Sequence, residues 1–362
     1  MAPNNQDQEE DKCNVESENF SDFSAEKFVN DLLTHGNTAP CDNTCDAFNN
    51  NTDLPTFYDK SLYKSGQKFY YKHIFALFLS KLFGLIAVLA IPTINSILRF
   101  TNQSSSEYKS YRRYMSTIFH MCIWYDEDFT PGSRLWQSVI EVRRKHNSAS
   151  NRGCCAGISR ITQKDMALTQ FGFMGIALTK KEKVGIFYTT EEEWKAFIHI
   201  WRVVGYLMGI EDRFNICRES VSETKEICEI LIDKLFVPEM EKKNETFLEM
   251  AEYLINGMWC FNPNLEVKVF MTFLYKILTD NNQNNNDTRP TPNYYFDLNK
   301  KETKKLNFLM WAVSNLKWTI LRVFHNTLHK CSIWLMKVFP FLAYYKFGRA
   351  KSYVHILENH SN

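Results

Sequence analysis

The sequence predicts an all-α protein, and three observations carry that reading. Apolar residues recur at helical spacing in one segment after another, most fully at Trp194, Phe197, Ile198, Trp201, Val204, Leu207 and Met208. Thr162 with Asp165, and Thr189-Thr190 ahead of three glutamates, put a hydroxyl cap and an acidic first turn where helices should start. No stretch alternates apolar and polar residues between hairpin turns. Glycine-rich nucleotide loops, HExxH and GxSxG are also missing from the sequence.

The chain has 362 residues, enough for one large domain or two ordinary ones. Its 43 basic and 41 acidic residues nearly balance, which argues against a nucleic-acid partner. Aromatic residues make up 15%, which predicts a ring-rich core or a pocket for a large apolar ligand. The ten cysteines lack paired CxxC spacing and read mostly as buried thiols in a reducing compartment. Met1 to Gln67 shows no early apolar stretch, so a cytoplasmic location, or one facing the cytosol on an endomembrane such as the endoplasmic reticulum, is expected.

Residues 1–55 are acidic and Asn-rich and are expected to be a disordered tail, with a short amphipathic helix at Ser21 to Leu33. Residues 56–362 are expected to form a single helical domain. Ile74 to Phe100 is the most apolar stretch. A membrane span needs about 20 apolar residues, so a buried helix ended by Pro92 competes with a membrane-associated segment at 74–91, and fits slightly better. Tyr111 to Tyr125 reads as a helix with Tyr114, Ile118, Met121 and Cys122 on one face. Pro131-Gly132-Ser133 opens the next, which is expected to end before a small, polar loop at Ser148 to Gly157. Thr162 to Leu178 follows, where Gly172 and Gly175 permit close approach of a helix or a flat ligand. Thr189 to Ile210, Val221 to Phe236, Glu245 to Met258 and Leu265 to Leu278 complete the central series, and Asp280 to Pro292 reads as an Asn-rich loop. The aromatic and basic segment 306–351 suits two helices meeting near Pro340. Core packing and rest on an anionic membrane surface explain it equally well.

The chemistry concentrates at Val142-Arg143-Arg144-Lys145-His146. Arg143 and His146 lie three apart and share a helix face, so an imidazole for iron and a cation for a propionate can meet one haem. A solvated basic run is the plainer reading of that motif taken alone. His120 and His199 read first as structural histidines, and Trp201 and Arg202 as packing and an ion pair.

With Arg113-Tyr114-Met115-Ser116-Thr117, Asp165 to Phe173 and Trp201 to Ile210 in order around that motif, residues 113–215 resemble a known family. It comprises the fungal endoplasmic-reticulum-bound oxygenases of mycophenolic acid biosynthesis and the bacterial latex-clearing protein (rubber oxygenase). The chain looks most like insect-type members. The resemblance implies a globin-like helical core with extra helices, the oxygenase-like part at 101–280, holding one haem b. It implies oxidative cleavage of a carbon–carbon double bond in an isoprenoid-type lipid with O2. By motif, His146 would ligate the iron and Arg143 orient that site, while Arg113 and Thr117 would line the opposite side. Phe171, Phe173, Trp201 and Tyr206 are candidates for the apolar substrate wall. Two positions depart from the pattern: Ser116 stands where the rubber oxygenase has a lysine, and Ser150 replaces a second arginine, with Arg152 nearby. A catalytically inactive helical protein that binds lipid, or acts as a membrane-associated interaction module, is the alternative those departures motivate.

Overall fold

The computed structural model describes residues 23–42, 54–279 and 296–357. Among them there is no β-strand, only an isolated bridge between Pro40 and Thr162. The fold is all-α. Of the expected tail, residues 23–42 are described and carry α1 (Ala25–Thr38), which buries Val29 and Leu32 against the body of the protein. It overlaps the short helix expected at Ser21 to Leu33 but begins at Ala25 and runs on to Thr38. Residues 1–22 and 43–53, and the Asn-rich segment at 280–292, lie outside the described residues.

α2 (Lys60–Lys72) and α3 (Ile74–Leu89) meet at a bend of 92°. α3 is apolar on every side and is buried on nearly every side, so it is a core helix, and α4 (Pro92–Phe100) begins at the proline expected to end it. No single helix among the described residues is long and apolar enough to cross a membrane. α5 (Glu107–Asp126) and α6 (Arg134–Cys155) follow, then α7 (Gln163–Thr179) and α8 (Glu191–Leu207), the last two opened by the capping boxes legible in the sequence. α7 crosses α3 where two glycines meet, and α2 crosses α8 through Gly66, with Phe69 lying 4.9 Å from Trp194 and 5.3 Å from Phe197. α9 (Val221–Leu231) passes through one π-helical turn into α10 (Val237–Glu241); α11 (Glu245–Gly257) packs on α5, and α12 (Val267–Thr279) follows.

The loop expected at Ser148 to Gly157 is instead the last two turns of α6. Small residues serve close packing here rather than a turn. Ser150 is buried and its hydroxyl accepts from the amide of Ile161 at 3.0 Å, while a Cβ at Gly153 would lie 2.6 Å from Ile97 Cδ1 and 2.6 Å from the carbonyl of Ser159.

The C-terminal part comprises α13 (Lys300–Ser314), α14 (Thr319–Val338), α15 (Phe341–Phe347) and α16 (Arg349–Ser352), the break falling at Pro340 as expected. α14 is tied to the α2–α3 bend by polar groups. His73 at that bend provides no side-chain cap, leaving helix-end groups to be satisfied from outside. Asn326 does this: its amide donates to the carbonyl of Lys72 at 2.9 Å and its oxygen accepts from the amide of Phe75 at 3.2 Å. Asn326→Leu is expected to cost about 1–3 kcal/mol, read as a lower midpoint in urea with an unchanged slope. Farther along, Lys346 pairs with Glu107 at 2.8 Å, and the hydroxyl of Tyr111 donates to the carbonyl of Ser352, tying α15 and α16 to the start of α5.

Candidate functional site

α5 and α6 lie side by side and carry all four expected site residues. The seam is joined at buried Ser138, whose hydroxyl accepts from Trp124 Nε1 at 2.9 Å and shares a hydrogen bond with His120 Nδ1 at 2.7 Å. His120 Nε2 lies 3.7 Å from a Glu141 oxygen, and burial pushes this ring below its ordinary range against the pull of that carboxylate. His120 thus faces the seam, in a structural role. His199 likewise serves structure: its Nε2 accepts from the amide of Asp59 at 3.1 Å, just ahead of α2.

His146 is half-buried overall, but its Nδ1 is enclosed and has no hydrogen-bond partner. Burial, and then the charges of Arg113 and Lys145, push its pKa down to about 4, so the ring is neutral at ordinary pH. A neutral imidazole with a free nitrogen is the protonation state that a metal ligand requires. Arg113 is thus brought close enough to act on His146. Its Nη1 donates to Ser104 Oγ at 3.0 Å, and its guanidinium lies 5.7 Å from the centre of the Tyr114 ring.

Arg143 and Thr117 are placed differently. Arg143 is buried, and its Nη1 donates to the carbonyl of Leu207 at 2.8 Å, at the end of α8. That contact satisfies one of the helix's orphan carbonyls and sets α6 against α8. The turn it grips is held from several sides. Gln163 bonds Gly209 and Glu211, while the amide of Gln170 donates to Asn215 and to the carbonyl of Trp201. Arg202 pairs with Asp212 at 3.2 Å, the ion pair expected for it. Thr117 donates to the carbonyl of Arg113 at 3.1 Å and lines a small cavity between α5 and α3, with Phe78, Lys81, Leu82, Tyr114 and Met258. The cavity's enclosed space is about 10 Å³, room for about one water.

Lys81 in that cavity escaped the sequence reading. It is buried, with its ammonium 3.3 Å from the Met121 sulfur and 5.3 Å from the centre of the Phe78 ring. Burial lowers its pKa to about 8. A lone lysine between two apolar runs was the available signal, and in sequence it reads as easily as the edge of a span. The aromatic candidates do not form one wall. Phe171 stacks on Phe236 at 4.3 Å, Phe173 stacks on Trp201 at 4.8 Å, and Tyr206 is 40% exposed with its edge against Phe57.

Helices arranged in this way define a class by fold before any activity is considered. Among solved structures, a latex clearing protein in its closed state has the same fold, with a TM-score of 0.53 over 85% of this chain and 89% of that one. Identity over the match is 13%, so the likeness is one of fold. No family model matches the chain, and no curated protein matches it.

Proposed function

We propose that this chain is a haem b-dependent oxygenase that uses O2 to cleave a carbon–carbon double bond in an isoprenoid-type lipid. The observation that carries the reading is the neutral imidazole of His146, with a buried, unpartnered nitrogen, beside the Arg113 charge on a fold shared with a latex clearing protein. These residues fit haem by donor chemistry: His146 can ligate iron without first losing a proton, and Arg113 is a cation in reach of the same place. Haem held there would supply an iron able to bind and activate O2. The protein's own share is to present His146 deprotonated, to keep Arg113 nearby as a donor, and to place the Thr117 hydroxyl and the apolar α3 side chains on the neighbouring wall. With about 10 Å³ enclosed at Thr117, a bulky group enters only if α5 parts from α3. Arg143 acts in this reading through its bond to Leu207, as a positioning residue for α6. The proposed setting is the cytosolic side of a membrane or the cytoplasm.

The test is an absorption spectrum and pyridine haemochrome assay on protein made in haem-supplemented cells, beside His146→Ala. The expected result is a Soret band in the wild type, lost in the variant while the helical circular dichroism is kept. A colourless wild type would overturn the proposal. The narrow cavity and Ser116 favour, as the second reading, a catalytically inactive helical lipid-binding or membrane-associated protein. That reading predicts no prenyl-lipid-dependent oxygen uptake.

A further inference from the structure

α14 presents its large apolar side chains to solvent. Ile320 is 83% exposed, and Phe324, Leu328, Trp334 and Val338 on the same face are each more than half exposed. The stripe continues past Pro340 to Tyr345 and is flanked at its start by exposed Trp311 and Trp318. The face turned to the protein carries polar Asn326 and His329 beside Ile333 and Met336, all buried. This polarity is the reverse of an ordinary surface helix, whose apolar stripe faces the core. Scattered exposed apolar residues need no explanation, but a contiguous stripe of this kind marks a docking surface.

The charge around the stripe selects the occupant. From Thr303 to Leu357 the chain has nine Lys or Arg and not one Asp or Glu. Lys317, Lys330 and Lys337 are exposed beside the stripe, Lys330 and Lys337 lying over the Tyr71 and Phe119 rings of the body at 4.8 and 5.6 Å. A second copy docked face to face would bring these like charges together. An anionic bilayer would meet the positive charge with phosphate and carboxylate, take the apolar stripe below the headgroups, and seat the tryptophans at the boundary where their rings are favoured. We infer that the outer face of α14, continued onto α15, docks the protein on an anionic lipid bilayer, with the helix lying in the plane of the interface over about 30 Å.

The experiment is flotation of the full chain with phosphatidylcholine vesicles, with and without phosphatidylserine, and with sedimentation velocity of the free protein as a companion measurement. The expected result is flotation with the serine-containing vesicles that weakens with salt. Phe324→Glu with Trp334→Glu should abolish it. Lys330→Glu and Lys337→Glu should each weaken it by on the order of tenfold. Phe324 and Trp334 are exposed, and Lys330 and Lys337 are exposed residues whose ammonium groups reach back over rings of the body. An unchanged circular dichroism spectrum is therefore needed to show the fold kept in each variant. Equal flotation on neutral vesicles would overturn the charge argument. Failure to float would overturn the inference, and if a wild-type oligomer then dissociates in the Phe324→Glu, Trp334→Glu variant, the face joins copies of this chain. Haem content plays no part in these readouts, so this result is separable from the oxygenase proposal.

Discussion

Gly84→Val is expected to lose most of the folded population, with a cost of about 3 kcal/mol or more. A Cβ at Gly84 would stand 2.2 Å from the carbonyl oxygen of Gly172, and 2.8 Å from its carbonyl carbon, in the facing helix. Those atoms are backbone in the middle of α7 and cannot rotate aside. The opposite substitution is gentler: a Cβ at Gly172 meets Val88 Cγ2 at 2.9 Å and the Gly84 backbone at 3.4 Å, so Gly172→Ala should cost less. α3 and α7 are both buried nearly throughout, so parting them to relieve the clash would open the centre of the protein. Urea unfolding of the two variants beside the wild type measures the difference. A Gly84→Val protein of unchanged midpoint would show that the helices do not cross at this point.

Acid should unfold the protein well before its carboxylates protonate. His73 is fully buried at the α2–α3 bend with neither ring nitrogen hydrogen-bonded. Burial, then Lys72 and Arg322, lower its pKa from 6.5 to about 4 against a small upward pull from Glu193. His329 is buried among Phe75, Phe78 and Phe261, and burial together with Lys81 lowers it to about 3. In both cases the unfolded chain binds a proton that the folded chain refuses. Their stabilising effect is therefore complete above pH 6.5 and is lost as pH falls from there towards 4. Each ring accounts for on the order of 3 kcal/mol over that window, a large part of an ordinary domain's stability. Urea midpoints from pH 7 to 4.5 should drop steeply, and His73→Phe should flatten the drop. A wild-type midpoint level across this range would refute the assignment.

How much of this was legible in the sequence varies residue by residue. The two capping boxes, the stop at Pro92 and the face of α5 follow from local rules, because cap, proline and periodicity each act within a few residues. The end of α6 was misread because serine and glycine look the same in a loop as at a tight crossing; only the approach of Ile97 and Ser159 distinguishes them. The aromatic and basic composition of 306–351 left open which side of α14 faces inward, since that is settled by Asn326 reaching the Lys72 carbonyl 254 positions away. The candidate site divides along the same line. Arg143 and His146 share a helix, yet Arg143 spends its Nη1 on Leu207, 64 positions on, and no spacing rule anticipates that.

The ties from α15 and α16 to the start of α5 act as a strut. Lys346 to Glu107, and Tyr111 to Ser352, connect the far end of the exposed C-terminal segment to the helix that carries Arg113 and Thr117. The other end of α5 is pinned, with Trp124 held to Ser138 and its carbonyl held by Tyr63. α5 is therefore fixed at both ends, by α15 and α16 at its start and by Ser138 and Tyr63 near Trp124.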